Sequence, residues 1–245
     1  MSVTTQDILS QAAKHVFLQV GDWLSVHPAE VNIGDAKGWT VLHHAAAAES
    51  AGKDVEDIVL LLMQAGADPH QGDVRGETPF NIAAANAPVA GRLMTLHWLD
   101  LALQGKGTKK LNDVSGSHGS TLAQYMAKWL RDDEIEQSLR EAVEAGMKPD
   151  VPNAAGWTPL TAAAAMGRAR AVEAFIWHYG YDGVVAKTTE PYEANYKGAK
   201  VLFPANSTAA DVAWARLGQD KNLSPDQKSD YVNTIAIIFS KISGQ

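Results

Sequence analysis

The stretch NAAGWTPLTAAAAM, residues 153–166, combines the signals of a tight turn with those of a helix start. Asn153 suits a turn because its side chain can bond its own backbone, and Gly156 accepts a positive φ without strain. Thr158 is a preferred N-cap residue, and Pro159 fits the first helical turn, where its missing N–H has no helical partner anyway. The stretch therefore predicts a turn that leads into a thin, alanine-rich helix.

The same pattern recurs along the chain. DAKGWTVLHHAAAA starts at Asp35 and DVRGETPFNIAAAN starts at Asp73, while fainter copies are HGSTLAQYMAKW from His118 and NSTAADVAWARLG from Asn206. A second helix is indicated in DIVLLLMQAGADPH, EIEQSLREAVEAGMKPD and RARAVEAFIWHYG, where apolar residues recur at helical spacing and a Gly ends the helix. Units of a turn and two helices that recur in this way indicate a stacked array.

These units resemble the ankyrin repeat family, whose pattern is G-x-T-P-L-H-x-A-A, then an apolar helix, then G-A-D. Residues that match it in the first strong copy are Gly38, Thr40, Leu42, His43, Ala45, Ala46, Ile58, Val59, Leu62, Gly66, Ala67 and Asp68. Val41 stands where the family has Pro, and Asn81 and Thr161 stand where it has His. The resemblance implies an all-α, ankyrin-like helical solenoid of about five to six stacked helix pairs with β-turn finger loops.

We expect a single domain over the whole chain, with copies longer than the family unit of about 33 residues. The extra residues must leave the packed stack as loops, because packed faces cannot stretch. The predicted parts are an N-terminal capping unit at about 5–34, repeats that start near 35, 73, 113, 153 and 206, an insertion at 181–206 and a C-terminal capping helix at about 224–243.

The composition excludes several classes of protein. A formal charge of −7 argues against a nucleic-acid partner, because tracking phosphates needs clustered Lys and Arg. The absence of Cys excludes disulfides, thiolate nucleophiles and Cys-ligated metals. No signal peptide pattern and no long apolar run is found, so we expect a cytoplasmic protein with no membrane partner. Secretion without a signal peptide stays open, and the alanine-rich, Cys-free composition favours a bacterial source.

The chain offers little for catalysis. It contains no G-x-S-x-G motif, no glycine-rich phosphate loop and no paired carboxylates with a spaced partner, so we expect a protein that is not an enzyme and binds no cofactor or metal. The adjacent His43 and His44 look at first like ligands. In the family, however, the first His bonds within its own turn and to the neighbouring unit, which implies a structural role for His43.

The family resemblance also implies where a partner is held. The residue between the Gly and the Thr lies at the base of a finger, on the concave side where family members generally hold their partners. Trp39 and Trp157 occupy this position, and Trp is enriched among residues that dominate interface energy. The alternative is that each ring packs between units. The predicted partner-binding set is Trp39, Lys37, Arg75, Glu77, Asn86, Trp157 and Met166, with Tyr192 and Tyr196 of the insertion.

The sequence thus predicts a noncatalytic protein–protein interaction module, a monomer by itself, that binds another protein through its concave face and finger loops. Three alternatives stay open. The first is a dedicated inhibitor or immunity protein of a bacterial toxin or enzyme, and the second is a secreted bacterial effector. The third, from another class, is a small hydrolase or metal-binding protein that uses His43, His44 and the insertion at 181–206.

Overall fold

Short helices joined by tight turns build the chain in the computed structural model, which describes residues 17–47, 53–86, 88–179, 182–196 and 198–243. The first residues of the predicted capping unit and Tyr181 lie outside this part. The chain divides into two compact units. The first unit runs to Trp98 and includes Ser115–Ser117, and the second unit comprises Leu99–Val114 and the residues from His118 onward.

The finger turns form because a short polar side chain replaces missing backbone partners. Asp35 Oδ1 accepts from the backbone N–H groups of Lys37 at 2.8 Å and Trp39 at 3.0 Å. The Asp35 backbone N–H donates to the Trp39 carbonyl, and Gly38 has a φ of 77° that few other residues adopt. Asp73 and Asn153 repeat these side-chain and backbone bonds, so the predicted turn is confirmed in three copies.

Threonine starts the helix after each turn, as predicted. The hydroxyl oxygens of Thr121, Thr158 and Thr208 each accept from the backbone N–H of the third helical residue. At Thr121 and Thr208 this third residue also bonds back to the cap, which completes a capping box. Such a cap contributes about 1 kcal/mol to helix stability.

The first unit is built from helices that pack through small residues. Their bounds are α1 Phe17–Val26, a 3₁₀ turn Pro28–Glu30, α2 Val41–Ala47, α3 Lys53–Gln64, α4 Pro79–Asn86 and α5 Pro88–Leu103, of which the last extends beyond the unit. Helix α2 packs against α3 and α4. Its Ala45 and Ala46 are fully buried, so neighbouring helices can approach closely around Leu42, Ile58 and Phe80.

The second unit repeats this packing. Two short strands, β1 Val114–Ser115, of which Ser115 belongs to the first unit, and β2 Ser120–Thr121, precede the helices α6 Leu122–Trp129, α7 Ile135–Glu144, α8 Pro159–Ala165, α9 Ala169–Tyr179, α10 Asp182–Val185, α11 Ala209–Gln219 and α12 Pro225–Ser243. Helix α8 lies against α6 on one side and α11 on another, while α9 packs on α12. All seven residues of α8 are buried, which explains why it consists of Ala, Thr, Leu and Pro.

The insertion forms a β-hairpin where the sequence predicts only a loop. Strands β3 Tyr192–Tyr196 and β4 Ala199–Phe203 pair antiparallel, with Ala194 opposite Val201. Side chains alternate along the hairpin, because Ala194, Val201 and Phe203 are buried while Glu193, Lys200 and Leu202 are exposed. The period of two is therefore present in the sequence, but it is too short to be distinguished there from a loop.

The hairpin grows out of the last finger turn. Thr188 donates its backbone N–H to the Ser207 carbonyl and accepts at its own carbonyl from the Asn206 N–H. Asp73 makes the same two bonds with Glu77 and Gly76, so Thr188 begins the last turn and Asn206, with a φ of 60°, takes the position of the glycine. The last turn therefore starts before the predicted 206 and carries the hairpin between its two ends.

The part of the chain that the structure describes is mostly helical, with 56% helix and a few short strands. Among the described residues, no helix has both the length and the apolar character needed to cross a membrane. The finger turns and the hairpin are the parts of the fold that position the candidate site residues.

Candidate protein-binding site

Trp39 joins two neighbouring fingers of the first unit. Its half-buried side chain donates a hydrogen bond from Nε1 to Oδ2 of Asp73 at 3.0 Å, and Asp73 belongs to the next finger. The His43 ring stacks on the indole at 6.2 Å between centroids, and the His44 ring meets it edge-on at 5.2 Å. The indole is thus held in one orientation, and part of it stays accessible.

Asp73 fixes the second finger and the tryptophan together. Its side chain is 1% exposed, and it accepts from the backbone N–H groups of Arg75 and Glu77 and from the Trp39 indole. Burial alone raises the pKa of Asp73, but these hydrogen bonds outweigh burial and hold the pKa below its usual value. The carboxylate therefore stays charged, and its oxygens are largely occupied by hydrogen bonds within the finger turn and to Trp39.

The tips of these two fingers are hydrogen-bonded to each other and carry exposed side chains. Val74 donates its backbone N–H to the Lys37 carbonyl at 3.1 Å, which fixes one tip to the next. The side chains of Lys37 and Arg75 are exposed, and Val74 is 74% exposed, the largest value among the exposed large hydrophobic residues that the structure describes. We call the group of Lys37, Trp39, Val74, Arg75 and Glu77 the finger patch.

Glu77 is the one carboxylate in the finger patch. Its side chain is half-buried and accepts a hydrogen bond from the Ser117 hydroxyl at 3.3 Å. Arg75 Nη2 lies 3.4 Å from Asp73 Oδ2, but most of its side chain faces solvent. The finger patch therefore presents an apolar centre with two cations and one carboxylate around it.

His43 has the structural role that the resemblance implies. Its Nδ1 accepts from the Thr40 backbone N–H at 3.1 Å, so Nε2 carries the proton and donates to the Glu77 carbonyl at 3.1 Å. Burial lowers the pKa of His43 and favours this neutral form. The predicted bonds within the turn and to the neighbour are confirmed, and both ring nitrogens are occupied.

His44 bonds to the first finger. Its Nε2 lies 3.2 Å from Asp35 Oδ2, in the carboxylate that also accepts from the Trp39 and Lys37 backbone N–H groups. Burial raises the pKa of Asp35, and the hydrogen bonds from these partners lower it below its usual value overall. Within the described ranges, no three His, Asp or Glu side chains gather as a metal ion would require.

Trp157, at the same position in its copy, has a different environment. Its side chain is 8% exposed and lies in a cluster with Phe203, Val201, Ala194, Val212 and Ala165. The rings of Tyr192 and Phe203 meet the indole edge-on, with centroids at 5.5 and 5.3 Å. The hairpin therefore covers the ring, which favours the packing alternative for Trp157 over a direct contact with a partner.

The two hairpin tyrosines also differ from each other. Tyr192 is exposed beside Trp157, whereas Tyr196 is half-buried against Arg216, whose guanidinium carbon lies 3.0 Å from the ring centroid. Burial raises the pKa of Tyr196, which the nearby guanidinium only partly offsets. Tyr196 thus anchors the hairpin, and Tyr192 is the tyrosine that stays accessible.

The other two predicted residues lie at helix ends. Met166 follows α8 and is half-buried. Asn86 is the last residue of α4, and its side chain lies outside the described part of the structure. The finger patch brings Lys37, Trp39, Arg75 and Glu77 together in the first unit, while Met166, Trp157 and both tyrosines belong to the second unit.

Three residues that shape the candidate site are absent from the set predicted from the sequence. Val74 belongs to the finger patch, Asp73 fixes the second finger and Trp39, and Arg216, in a buried ion pair with Asp220 at 2.8 Å, packs on Tyr196 of the hairpin. Asp73 had a signal, because an Asp or Asn starts three of the fingers, but its bond to a tryptophan 34 residues earlier depends on how the fingers are stacked. Arg216 had no sequence signal that predicted its contact with the hairpin.

Comparison with known proteins agrees with this geometry. Residues 37–74 match the family model of the ankyrin repeat. The fold is similar to that of a solved ankyrin repeat domain from Acinetobacter baumannii, with a TM-score of 0.51 and 18% identity over 96% of this chain and 96% of that chain. No curated protein sequence matches the chain. The resemblance read from the repeated motif is therefore confirmed, and the fold is ankyrin-like.

Proposed function

From an ankyrin-like fold with a matching repeat at residues 37–74, we propose that this protein is a noncatalytic module that binds a partner protein through its finger loops. Ankyrin repeats generally mediate protein–protein interaction. The observation that carries the proposal is the finger patch, where the half-buried Trp39 is hydrogen-bonded to the next finger, which also carries the exposed Val74.

Rigidity supports this role. A surface that is already fixed loses little conformational entropy when it binds, so more of its contact energy appears as affinity. Asp35 and Asp73 fix the backbone of both fingers, and the Trp39–Asp73 and Val74–Lys37 bonds fix one finger to the other. The finger patch is therefore preorganised without its partner.

The chemistry of the finger patch supports a protein partner. Interfaces pair an apolar, aromatic centre with a polar rim, and Trp and Arg are enriched among the residues that dominate their energy. Trp39 and Val74 supply the centre, while Lys37, Arg75 and Glu77 supply the rim. Tyr192 is proposed as a further contact, and Met166 and Asn86 keep the positions that the family resemblance assigns to the concave side.

The proposal is tested by capture of partners from a cell lysate with the tagged protein and its variants. Val74→Asp and Arg75→Glu change exposed side chains, so both variants should fold and lose the captured partner at least about tenfold. Val185→Asp changes a valine in α10 that is also exposed, at 48%, and should retain the partner. Equal capture by all three variants would contradict the proposal.

The stoichiometry of capture separates the finer alternatives. A dedicated inhibitor should give one tight partner at a fixed ratio, whereas a scaffold should give several weaker partners. In both cases the partner should be lost by the variants at Val74 and Arg75 and retained by the control variant at Val185.

A further inference from the structure

One copy of the repeat carries a lysine where the other copies carry alanine. The seventh residue after the cap threonine Thr121 is Lys128, in helix α6. The seventh residues after Thr40, Thr78, Thr158 and Thr208 are Ala47, Ala85, Ala165 and Ala215. Small side chains at this position suit helices that approach closely, so the packing of the repeat does not require a long cationic side chain here.

Lys128 is half-buried in neutral surroundings. Its neighbours Ala127 and Trp129 are buried, and strand β2 and helix α8, which pack against α6, contain no charged residue. The Lys128 Nζ lies 5.8 Å from the centre of the ring of Tyr125, a residue that is 2% exposed. Among the residues that the structure describes, no carboxylate and no other hydrogen-bond acceptor contacts this Nζ. The charge of a protonated Lys128 is therefore compensated only by an aromatic ring.

The charged groups around α6 are engaged with one another. The charged residues of α7, the other helix that packs on α6, are Glu136, Arg140, Glu141 and Glu144. Within the described contacts none of them bonds to Lys128, and Arg140 pairs with Glu136 at 3.3 Å. Beyond the end of α6, the Asp132 carboxylate lies 3.2 Å from the Arg168 guanidinium. Lys128 is thus left without a counter-ion in this part of the structure.

Burial without a counter-ion favours the neutral amine. Removing an ammonium group from water disfavours its charged form, and this burial lowers the pKa of Lys128 from its ordinary value of 10.5 to about 8. At pH 7.5 about one in four Lys128 side chains is then neutral, against about one in a thousand for an ordinary lysine. The neutral amine is the nucleophilic form of lysine. Because Lys128 is only half-buried, small reagents can reach it.

We propose that Lys128 is a modification site at which small activated acyl donors, such as acyl phosphates, acylate the side-chain amine. The amine nitrogen attacks the acyl carbon and forms a C–N bond, while the bond between the acyl carbon and the phosphate oxygen breaks. Phosphate leaves with the electron pair of that bond, and the nitrogen loses a proton to water. The product is an uncharged amide, so the side chain no longer carries a cation.

The surroundings of Lys128 favour an acyl donor over carbon dioxide. An amide needs no counter-ion, whereas the carbamate that carbon dioxide forms is an anion and would need a cation beside it. The guanidinium of Arg168, near the end of α6, already bonds to Asp132 and to the Ala127 and Leu130 carbonyl groups. The half-buried position also restricts the donor to a small one. The site lies outside the finger patch, so the inference does not depend on the proposed partner.

Acetylation by acetyl phosphate, followed for each lysine by peptide mass spectrometry, tests the site. At pH 7.5 Lys128 should react about tenfold faster than the exposed Lys221 and Lys228, because its larger neutral fraction outweighs the weaker nucleophilicity of a less basic amine. Its rate should level off above about pH 8, while the rates of the control lysines continue to rise. In denaturing urea the difference should vanish. A Lys128 that reacts no faster than the controls in the folded protein, or equally fast relative to them in urea, would overturn the inference.

Lys128→Ala provides a second test that needs no reagent. Alanine occupies this position in the other copies, so the variant should fold. The unfolded chain holds the lysine proton up to about pH 10.5, whereas the folded protein releases it near pH 8. The urea midpoint of the parent protein should therefore rise relative to that of the variant between about pH 8 and 10. A constant difference between the two midpoints over this range would also overturn the inference.

Discussion

Trp39 and Trp157 occupy the same position in two copies of one motif, yet the two side chains differ in burial and in hydrogen bonding. The Trp39 side chain is half-buried and donates its indole N–H to Asp73 in the next finger. Trp157 is buried beneath a hairpin, and within the described residues its indole N–H has no acceptor. The turn around each ring is the same, so the difference arises in the finger that follows.

The following fingers differ in two respects. Asp73 starts the finger after Trp39, and its carboxylate reaches the indole, whereas Thr188 starts the finger after Trp157 and uses its hydroxyl for Pro204 and Ser207. The finger after Trp157 also carries the hairpin, whose Tyr192 and Phe203 pack on the ring. A repeated motif thus fixes local conformation, while its neighbours decide whether the ring faces solvent.

The largest expected effect is on stability at the covered ring. Trp157→Ala should lower the free energy of unfolding by about 3–5 kcal/mol, because it leaves a cavity beneath Phe203 and Val201. Trp39→Ala should cost only about 1–2 kcal/mol, because its ring is half-buried and one hydrogen bond is lost. Urea denaturation of both variants measures the difference, and equal losses would contradict the assignment of Trp157 to the core.

Asp73 should have the next largest effect. Asp73→Ala removes the acceptor of the Arg75 and Glu77 backbone N–H groups and of the Trp39 indole, so it should cost about 2–3 kcal/mol. Asp73→Asn keeps one carbonyl oxygen for the turn, as Asn153 does in its own copy, and should cost about half as much. If the Asn variant were as unstable as the Ala variant, the negative charge and not the turn would be the stabilising feature.

A smaller effect is expected from pH. Burial lowers the pKa of His43 in the folded protein below its ordinary value of 6.5, so the unfolded chain binds the proton more tightly. Stability from the neutral imidazole is therefore complete above about pH 6.5 and decreases as the pH falls towards the folded-state pKa, by at most about 1.4 kcal/mol per pH unit. The lowered pKa values of Asp35 and Asp73 remove stability only at more acidic pH, below about 3.8.

His43→Gln provides the matched control for this pH window. Gln124 occupies the same position after its own cap residue, and its side chain both caps α6 and donates to the Trp157 carbonyl. A glutamine at 43 should therefore keep the bonds without the titration. Urea denaturation between about pH 5 and 7 should show a flatter profile for the variant, and an unchanged slope would exclude His43 as the titrating group.

The smallest effect is spectroscopic. The chain has seven tryptophans, so each ring is observed as the difference between the parent protein and a Trp→Phe variant. Trp39→Phe should remove fluorescence that iodide quenches and that emits at longer wavelength, because this ring contacts solvent. Trp157→Phe should remove emission at shorter wavelength that iodide does not reach. Reversed behaviour would show that the hairpin does not cover Trp157.

The sequence predicted the parts of this comparison that depend on local geometry. Gly38 and Gly156 mark the turns, Thr158 marks a helix start, and the position of His43 in its motif implied its bonds. Each of these features depends on residues a few positions apart or on the repeat of the fold. They could therefore be predicted without knowledge of the packed structure.

The remaining features depend on packing between distant parts of the chain. The cover over Trp157 exists because Tyr196 packs on Arg216 and because the Gln219 amide bonds both backbone groups of Leu202. The composition of the insertion indicated only a tyrosine-rich loop. The exposure of Phe239 likewise follows from the side of α12 that packs on α9, which the pattern of apolar residues leaves undetermined.

The most direct test of the account compares partner binding by Trp39→Ala and Trp157→Ala, measured by capture at a temperature where circular dichroism shows both variants to be folded. The account predicts that Trp39→Ala loses the partner by about tenfold or more and that Trp157→Ala retains it. Retention of the partner by Trp39→Ala together with its loss from folded Trp157→Ala would contradict the account.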